Sequence, residues 1–281
     1  MLVIANADAG TADGLEDALR ALDCDVVHTT TPEELDDVVR RDRFLVAAGG
    51  DGTLHAVVAA MHRQDVLADT ALGLIPLGTG NDFARGAGIP LDPLEAAQLV
   101  AGGKPSPVDL LMDDAGGVVV NSVHVGAGAE ASRAAQPWKR RLGPVGYLVG
   151  AGIAAVRPAA PRLRVTVDGE VVSHRRTLQV ALGNAPYVGG GTELTPKADP
   201  ADGRVDVMVS FALSPLARAA YALQLRRGEH HHSDDVLYGR GHEVAISGEE
   251  FYASSDGEIE GPLTSRSWRL MPGALQFVLS H

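Results

Sequence analysis

The chain has 281 residues, of which 45% are hydrophobic and 21% are charged, a composition typical of a globular protein with room for two domains. Its formal net charge of −12 argues against nucleic acid as a partner, because phosphate backbones are bound by clusters of Lys and Arg. The single cysteine, Cys24, excludes a framework of internal disulfides.

Strand and helix patterns alternate over the first part of the chain. Apolar strands are predicted at 2–4, 25–28, 45–48 and 71–76, and apolar residues at helical spacing occur at 14–22, 54–61 and 93–100. Thr31, Pro32 and Glu34 are typical of a helix start, with Thr31 as its cap. This alternation predicts a parallel sheet with helices on both faces.

The pattern changes after a run of Gly and Pro at 101–107, which we interpret as the approach to a domain boundary. Short strands then dominate, with an Asp-Gly hairpin turn at 167–170 and helical segments at 146–156 and 215–226. The predicted strands are 118–125, 163–167, 171–173, 178–183, 205–211, 243–247, 251–254 and 275–279. The sequence therefore predicts an α/β domain at 1–117 and an antiparallel β domain at 118–271, with 272–281 as a candidate for return to the first domain.

A glycine-rich turn, GGDGT at 49–53, joins a predicted strand to a predicted helix. Gly49, Gly50 and Gly52 permit left-handed backbone angles and close approach of an anion, while the first N–H groups of the helix point at it. Thr53 is predicted at the helix N-cap. The turn lacks the Gly-Lys-Ser/Thr of a Walker A loop, so Asp51 has to act through a metal ion or by orienting a group. Glycines that merely pack a strand against a helix are the alternative.

A second turn of this kind, LGTGND at 77–82, follows the next predicted strand. Thr79, Asn81 and Asp82 place a hydroxyl, an amide and a carboxylate at the start of a helix. One such residue is sufficient for a helix cap, which contributes about 1 kcal/mol, so three of them beside two glycines indicate a ligand site. Both turns follow the carboxyl ends of strands, where ligands bind in open α/β sheets.

Five motifs follow one another along nearly the whole chain: GGDGT at 49–53, IPLGTGNDFAR at 75–85, GNAPYVGGG at 183–191, ADPADGRVD at 198–206 and DGE at 256–258. In this order they resemble the diacylglycerol kinase catalytic family, which includes soluble bacterial diacylglycerol kinases, YegS-like lipid kinases and sphingosine kinases. The resemblance implies a three-layer α/β ATP-binding domain followed by an antiparallel β-sandwich substrate domain. It also implies ATP- and Mg²⁺-dependent phosphorylation of a diacylglycerol-like lipid hydroxyl in the cleft between them.

The resemblance implies roles for individual residues. Glu258 matches the general base, and Asp51 is the second catalytic position. The residues assigned to ATP and its Mg²⁺ are Asn6, Gly10, Thr29, Gly49, Gly50, Asp51, Gly52, Thr53, Thr79, Asn81 and Asp82. A structural Mg²⁺ is expected on the Asp202 side chain and the carbonyl groups of Asp199 and Arg204, since oxygen ligands suit a hard cation. By spacing alone, the DGE motif and the Asp-Gly of the 198–206 motif are turns.

The chain departs from the family pattern after the first strand. Where the family has Asn-Pro-x-Ser-Gly, this chain has NADAG at 6–10, which removes a hydroxyl and adds an acid. Three functions therefore stay open: a lipid kinase, a kinase that acts on a soluble hydroxyl compound as NAD kinases do, and a relative that binds nucleotide or lipid without catalysis. Phosphoryl transfer needs neutralised phosphates, in-line positioning and a group that takes the hydroxyl proton, which the implied residues supply.

The sequence also bears on location and partners. No signal peptide is recognised at the start, and the longest nearly uncharged run, 143–156, is shorter than the ~20 residues of a membrane-spanning helix. A chain with one cysteine suits a reducing compartment. We expect a cytoplasmic protein that at most attaches peripherally to a membrane, where its lipid substrate lies; Arg133 and WKRR at 138–141 are a candidate headgroup contact or a solvated linker. The sequence is compatible with a homodimer.

Overall fold

The structure is a computed structural model that describes residues 1–6, 15–22, 24–29, 31–127, 129 and 160–280, without the side chain of Asn6. The predictions at Gly10, at the helix 146–156 and at the basic cluster 138–141 lie outside the described residues. Among the residues described, no helix combines the length and the apolar character that a bilayer crossing requires.

The first half of the chain forms a parallel sheet between two layers of helices. Its elements are β1 (Leu2–Asn6), α1 (Leu15–Arg20), β2 (Asp25–Thr29), α2 (Pro32–Val38), β3 (Phe44–Gly49), α3 (Asp51–Arg63), β4 (Ala71–Pro76), α4 (Asp82–Gly86) and α5 (Pro93–Gly102). The strand order is β2-β1-β3-β4, and all pairs are parallel. Leu2 and Ile4 pack with α2 and α3, whereas Val3 and Ala5 pack with α1 and α5. Alternating side chains thus bury both faces of the sheet, and the predicted three-layer fold is confirmed.

The second half is antiparallel. Its elements are β5 (Pro105–Asp113), β6 (Val118–Val119), β7 (Ser122–Gly126), β8 (Arg162–Val167), β9 (Glu170–Arg176), β10 (Gln179–Gly183), β11 (Tyr187–Val188), β12 (Thr192–Glu193), β13 (Val205–Ser210), α6 (Pro215–Arg226), β14 (Val236–Gly241), β15 (Glu243–Ser255) and β16 (Glu258–Val278). Buried Val, Ile and Leu side chains from the strands of this half pack with Trp268 in one hydrophobic core. The predicted antiparallel β-sandwich is confirmed.

Three local predictions are confirmed by backbone geometry. Thr31 and Glu34 form a reciprocal capping box at the start of α2. The turn between β8 and β9 has Asp168 at φ 48° and Gly169 at φ 84°, as a two-residue hairpin turn requires. Helix α6 has the predicted bounds.

The sequence misjudged several strands at the junction of the two halves. The run 101–107 was interpreted as the approach to a domain boundary, and the strand inside it was not predicted: β5 begins at Pro105 and pairs with β16 as far as Val278. The predicted strands 243–247 and 251–254 are one strand, because Gly248 at φ 147° lets β15 bulge between Ser247 and Phe251 instead of ending. The predicted strand 275–279 is the end of β16, which runs from the antiparallel half into parallel pairing with β4.

Candidate active site

The carboxyl ends of the four parallel strands form one edge of the sheet. Asn6 lies opposite Thr29 in the register of β1 and β2, and Gly49 lies opposite Pro76 in that of β3 and β4. The turns after β3 and β4 therefore start side by side. They pack glycine against glycine, since a methyl group added at Gly50 would meet the Cα of Gly78 at 3.0 Å.

The start of α3 differs from the prediction. The N-cap is Gly50, in an extended conformation and without a side-chain cap, so the prediction of Thr53 as the cap is wrong. The helix begins three residues earlier because the N–H groups of Thr53 and Leu54 both donate to the Gly50 carbonyl. Gly52 is exposed, and a methyl group placed on it would meet no atom within 4 Å. The first turn of α3 thus presents open backbone at the sheet edge, which suits an anion.

Asp51 ties the two glycine turns together. Its carboxylate accepts hydrogen bonds from the N–H groups of Asp82 and Phe83, both at 3.1 Å, and so caps α4 from the neighbouring turn. Asn81 sits in a left-handed conformation at φ 50°, and its amide group holds both the N–H and the carbonyl of Gly78. The side chain of Asn81 therefore shapes the second turn, while Thr79 is exposed beside it.

Asp82 connects this turn to the antiparallel half. Its buried carboxylate accepts the N–H of Gly190 at 2.9 Å and that of Gly191 at 2.7 Å. Gly189, Gly190 and Gly191 have φ values of 63°, 91° and 104°, a left-handed run that side chains would strain. Consecutive N–H groups in such a run form a concave site for a carboxylate. The two halves are thus joined through a residue of the predicted ligand site.

Negative charge accumulates where the turns meet. Burial raises the pKa of Asp51, two backbone hydrogen bonds lower it, and the charges of Asp82 and Asp256 raise it again, with a net increase. A methyl group on Gly80 would lie 3.2 Å from Oδ2 of Asp51 and 3.4 Å from Oδ2 of Asp82, so both oxygens face one small space. Carboxylate oxygens that face one space in partial burial are a donor set that fits Mg²⁺.

The turn between β15 and β16 carries Asp256 at φ 48°, Gly257 and Glu258. The carboxylate of Asp256 accepts the N–H groups of Val120, Asn121 and Ser122 at 2.7 to 2.9 Å and contacts Nδ1 of His55 at 3.0 Å. Nε2 of the same imidazole lies 3.7 Å from Oε2 of Glu258. The Asp256 side chain is 3% exposed and that of Glu258 is 78% exposed. A buried carboxylate and an exposed carboxylate therefore both lie beside the imidazole of His55.

A cleft of about 420 Å³ opens beside Glu258 and is lined by residues of α3, of 113–118 and of 255–260. Its walls mix polar and small residues from three parts of the chain. The lining residues are His55, Ala59, His62, Arg63, Asp113, Ala115, Gly116, Gly117, Val118, Ser255, Glu258, Ile259 and Glu260. A reactant hydroxyl in this cleft has direct access to the Glu258 carboxylate.

Two models of protein families match the chain. Residues 1–112 match the model of the diacylglycerol kinase catalytic domain, and residues 121–279 match that of the YegS C-terminal NAD kinase beta sandwich-like domain. The chain belongs to the diacylglycerol kinase catalytic family. The resemblance inferred from the five motifs is therefore confirmed.

Two relatives in sequence and one solved structure of the same fold are similar to much of the chain. A "Probable lipid kinase YegS-like" protein of Stenotrophomonas maltophilia (strain K279a) is 35% identical over 66% of this chain and 61% of its own length. One of the same description from Enterobacter sp. (strain 638) is 32% identical over 82% of this chain and 76% of its own. The crystal structure of a diacylglycerol kinase from Bacillus anthracis str. Sterne has a TM-score of 0.74 at 20% identity, covering 99% of this chain and 96% of that one.

Two residues of this candidate site were not among the predicted site residues. His55 reads in the sequence as an ordinary helical position, since only the packing of α3 against the β15–β16 turn brings it to Asp256 and Glu258. Asp256 stands in the DGE motif, but its anchoring depends on N–H groups more than a hundred residues away. The motif was the available signal for Asp256, and no local signal marked His55.

The loop expected to hold a structural Mg²⁺ lies apart from these turns, at 198–206. Asp202 accepts the N–H of Arg204 at 3.0 Å and is ion-paired with Arg240. The same guanidinium donates to Asp206 at 2.9 Å, a carboxylate that is fully buried. A cation on Asp199, Asp202 and Arg204 stays a prediction that these contacts disfavour, because Arg240 already supplies the balancing charge.

We expect Mg²⁺ without nucleotide to leave the thermal unfolding midpoint of the parent unchanged. Arg240→Met should lower the free energy of unfolding by about 1–3 kcal/mol, because it leaves two carboxylates without their partner, and Mg²⁺ should restore part of this loss. Arg269→Met, which removes an exposed pair with Glu243, is the matched control and should change little. Stabilisation of the parent by Mg²⁺ that disappears in Asp202→Asn would contradict this expectation.

Proposed function

We propose that this protein is an ATP- and Mg²⁺-dependent kinase that transfers the γ-phosphoryl group to a lipid hydroxyl of the diacylglycerol kind. The observation that carries the proposal is the position of α3. Its first residues belong to the glycine turn, and His55, four residues or about 6 Å further along the helix axis, contacts the turn that holds Glu258. Helix α3 therefore connects the glycine turn, which suits an anion, with the exposed carboxylate of Glu258 on β16.

The nucleotide side of the site is the sheet edge. We assign the triphosphate to the turn of Gly49, Gly50 and Gly52, of which Gly52 is open, together with Thr53 and Thr79, and the edge residues Asn6 and Thr29 to the rest of the nucleotide. Asp51, Asn81 and Asp82 keep the two turns in register through their hydrogen bonds. Mg²⁺ on the oxygens of Asp51 and Asp82 would neutralise the phosphate charge.

The acceptor side is the Glu258 carboxylate and its cleft. Glu258 takes the proton of the acceptor hydroxyl while the hydroxyl oxygen forms its bond to the γ-phosphorus and the bond to the ADP oxygen breaks. The products are a phosphorylated lipid and ADP, and the proton leaves Glu258 to solvent through its exposed side. A lipid acceptor lies in a bilayer, so we place the enzyme in the cytoplasm with transient docking at the membrane surface.

The proposal is tested by phosphate transfer from labelled ATP with Mg²⁺ to a panel of lipids in mixed micelles and to soluble alcohols. Labelled lipid supports it. The second candidate is a kinase for a soluble hydroxyl compound, which the polar cleft residues His62, Arg63 and Asp113 favour. Transfer to a soluble acceptor alone would select that function, and nucleotide binding with no transfer to any acceptor would overturn both.

The placement of ATP predicts the effect of Gly52→Ala. The methyl group meets no protein atom and replaces glycine in a helix, so the free energy of unfolding should stay equal or rise by up to about 1 kcal/mol. Since the methyl group enters the space assigned to the phosphates, the dissociation constant for ATP should rise at least about tenfold. Calorimetric titration and thermal unfolding measure the two effects. Gly102→Ala, also open and helical, is the control, and unchanged ATP affinity in Gly52→Ala would refute the assignment.

A further inference from the structure

His55 lies where helix α3 of the first half contacts two carboxylates of the second half. The residue lies on α3 of the first half, and its imidazole side chain is 11% exposed. Nδ1 is 3.0 Å from Oδ2 of Asp256, and Nε2 is 3.7 Å from Oε2 of Glu258. Among the side chains that the structure describes, the imidazole of His55 is the one that faces the Glu258 carboxylate at ion-pair distance.

We propose that His55 is a positioning residue for phosphoryl transfer, whose imidazolium form holds the Glu258 carboxylate in place and sets an upper pH limit on the reaction. This inference rests on the proposed function, in which Glu258 accepts the hydroxyl proton. His55 itself touches neither the phosphate nor the acceptor in this scheme, and it acts only through Glu258.

The hydrogen bonds of Asp256 decide which nitrogen of His55 titrates. Its carboxylate accepts three backbone N–H groups, which fix its orientation. Carboxylate oxygens accept hydrogen bonds, so Nδ1 of His55, 3.0 Å from Oδ2, is assigned as the nitrogen that donates to Asp256. Nε2 is then the variable position: protonated it attracts Glu258, and deprotonated it turns a lone pair toward that carboxylate.

The surroundings of the ring keep it charged to higher pH than a free histidine. Burial lowers the pKa of His55, but the hydrogen bond and charge of Asp256 and the charge of Glu258 outweigh it, so the pKa lies above the usual 6.5. Arg63, further along α3, opposes this effect, and His62, Asp113 and Glu260 line the same cleft. The imidazolium is thus present below the raised pKa and is lost as pH rises through it, releasing Glu258.

The test compares His55→Gln with His174→Gln, which removes an exposed histidine on β9, away from the cleft. In the parent, kcat should fall as pH rises through the pKa of His55. His55→Gln should lower kcat by about 10- to 100-fold and abolish this alkaline decline, with the KM for ATP unchanged, because glutamine cannot become charged. His174→Gln should keep both the parental kcat and the alkaline decline. A His55→Gln enzyme with parental kcat and parental alkaline decline would overturn the inference.

A readout without turnover separates this inference from the proposed function. The chain has ten histidines, and the ring signal of His55 is assigned by its disappearance from the NMR spectrum of His55→Gln. Glu258→Gln should lower the pKa of this ring, because it removes one of the two negative charges beside it. An unchanged titration would refute the contact. If the parent phosphorylates no lipid while the titration shifts as expected, the proposed function fails and the contact between His55 and Glu258 stands.

Discussion

Glu258→Gln is expected to lower kcat for lipid phosphorylation by about 10²- to 10⁴-fold, the contribution of a positioned general base. Glutamine has nearly the same shape but cannot accept the hydroxyl proton, so the loss should fall on kcat and not on the KM for ATP. The side chain is 78% exposed and is ion-paired with His55, so the free energy of unfolding should change by no more than about 1 kcal/mol.

Glu260→Gln is the matched control. Glu260 lies two residues further along β16, lines the same cleft and is ion-paired with Arg266. Its removal should leave kcat within a few-fold of the parent. Rates are measured in the pre-steady-state burst at saturating ATP and lipid, so that the first chemical turnover is separated from product release. Equal losses in the two variants would show that the cleft needs negative charge in general, and full activity in Glu258→Gln would reject this residue as the base.

The sequence was informative where one local signal decides the structure. Alternating apolar strands and helices predicted the parallel half, because the spacing of apolar residues within each segment distinguishes a strand from a helix. Thr31 with Pro32 predicted the start of α2, and Asp168 with Gly169 predicted a hairpin, because caps and turns depend on a few adjacent residues. The glycine turns also predicted that two loops meet at one sheet edge, which the parallel register shows.

The sequence did not predict the features that depend on contacts between segments far apart in the chain. β5 begins with Pro105 and Pro107, which read locally as breakers, yet the strand forms because β16 offers it a partner over its whole length. Asp82 reads as a helix cap or ligand, and its bond to Gly190 and Gly191 depends on how the halves dock. The same holds for His55, whose helical position gives no indication of the acids that face it.

Asp51→Asn is expected to damage both stability and catalysis. The carboxylate accepts one N–H on each oxygen, whereas an amide offers one oxygen and turns its NH₂ group toward the other donor. One N–H of α4 is then unsatisfied in a partly buried place, which costs about 1–3 kcal/mol of unfolding free energy. The loss of charge beside Asp82 should also weaken the binding of Mg²⁺. The concentration of Mg²⁺ that gives a half-maximal rate should therefore rise, and kcat should fall at least about 10²-fold.

The two effects of Asp51→Asn are separable, because lost stability does not by itself change the Mg²⁺ requirement of the molecules that remain folded. Asp37→Asn, which removes an exposed partner of Arg40, is the control and should alter neither the unfolding midpoint nor the rate. Rates are compared well below the unfolding midpoint of the variant, across a titration of Mg²⁺ at saturating ATP. A variant that is destabilised as expected but keeps the parental kcat and Mg²⁺ dependence would show that Asp51 only joins the two turns, and the cation would then have to be held by other oxygens of the site.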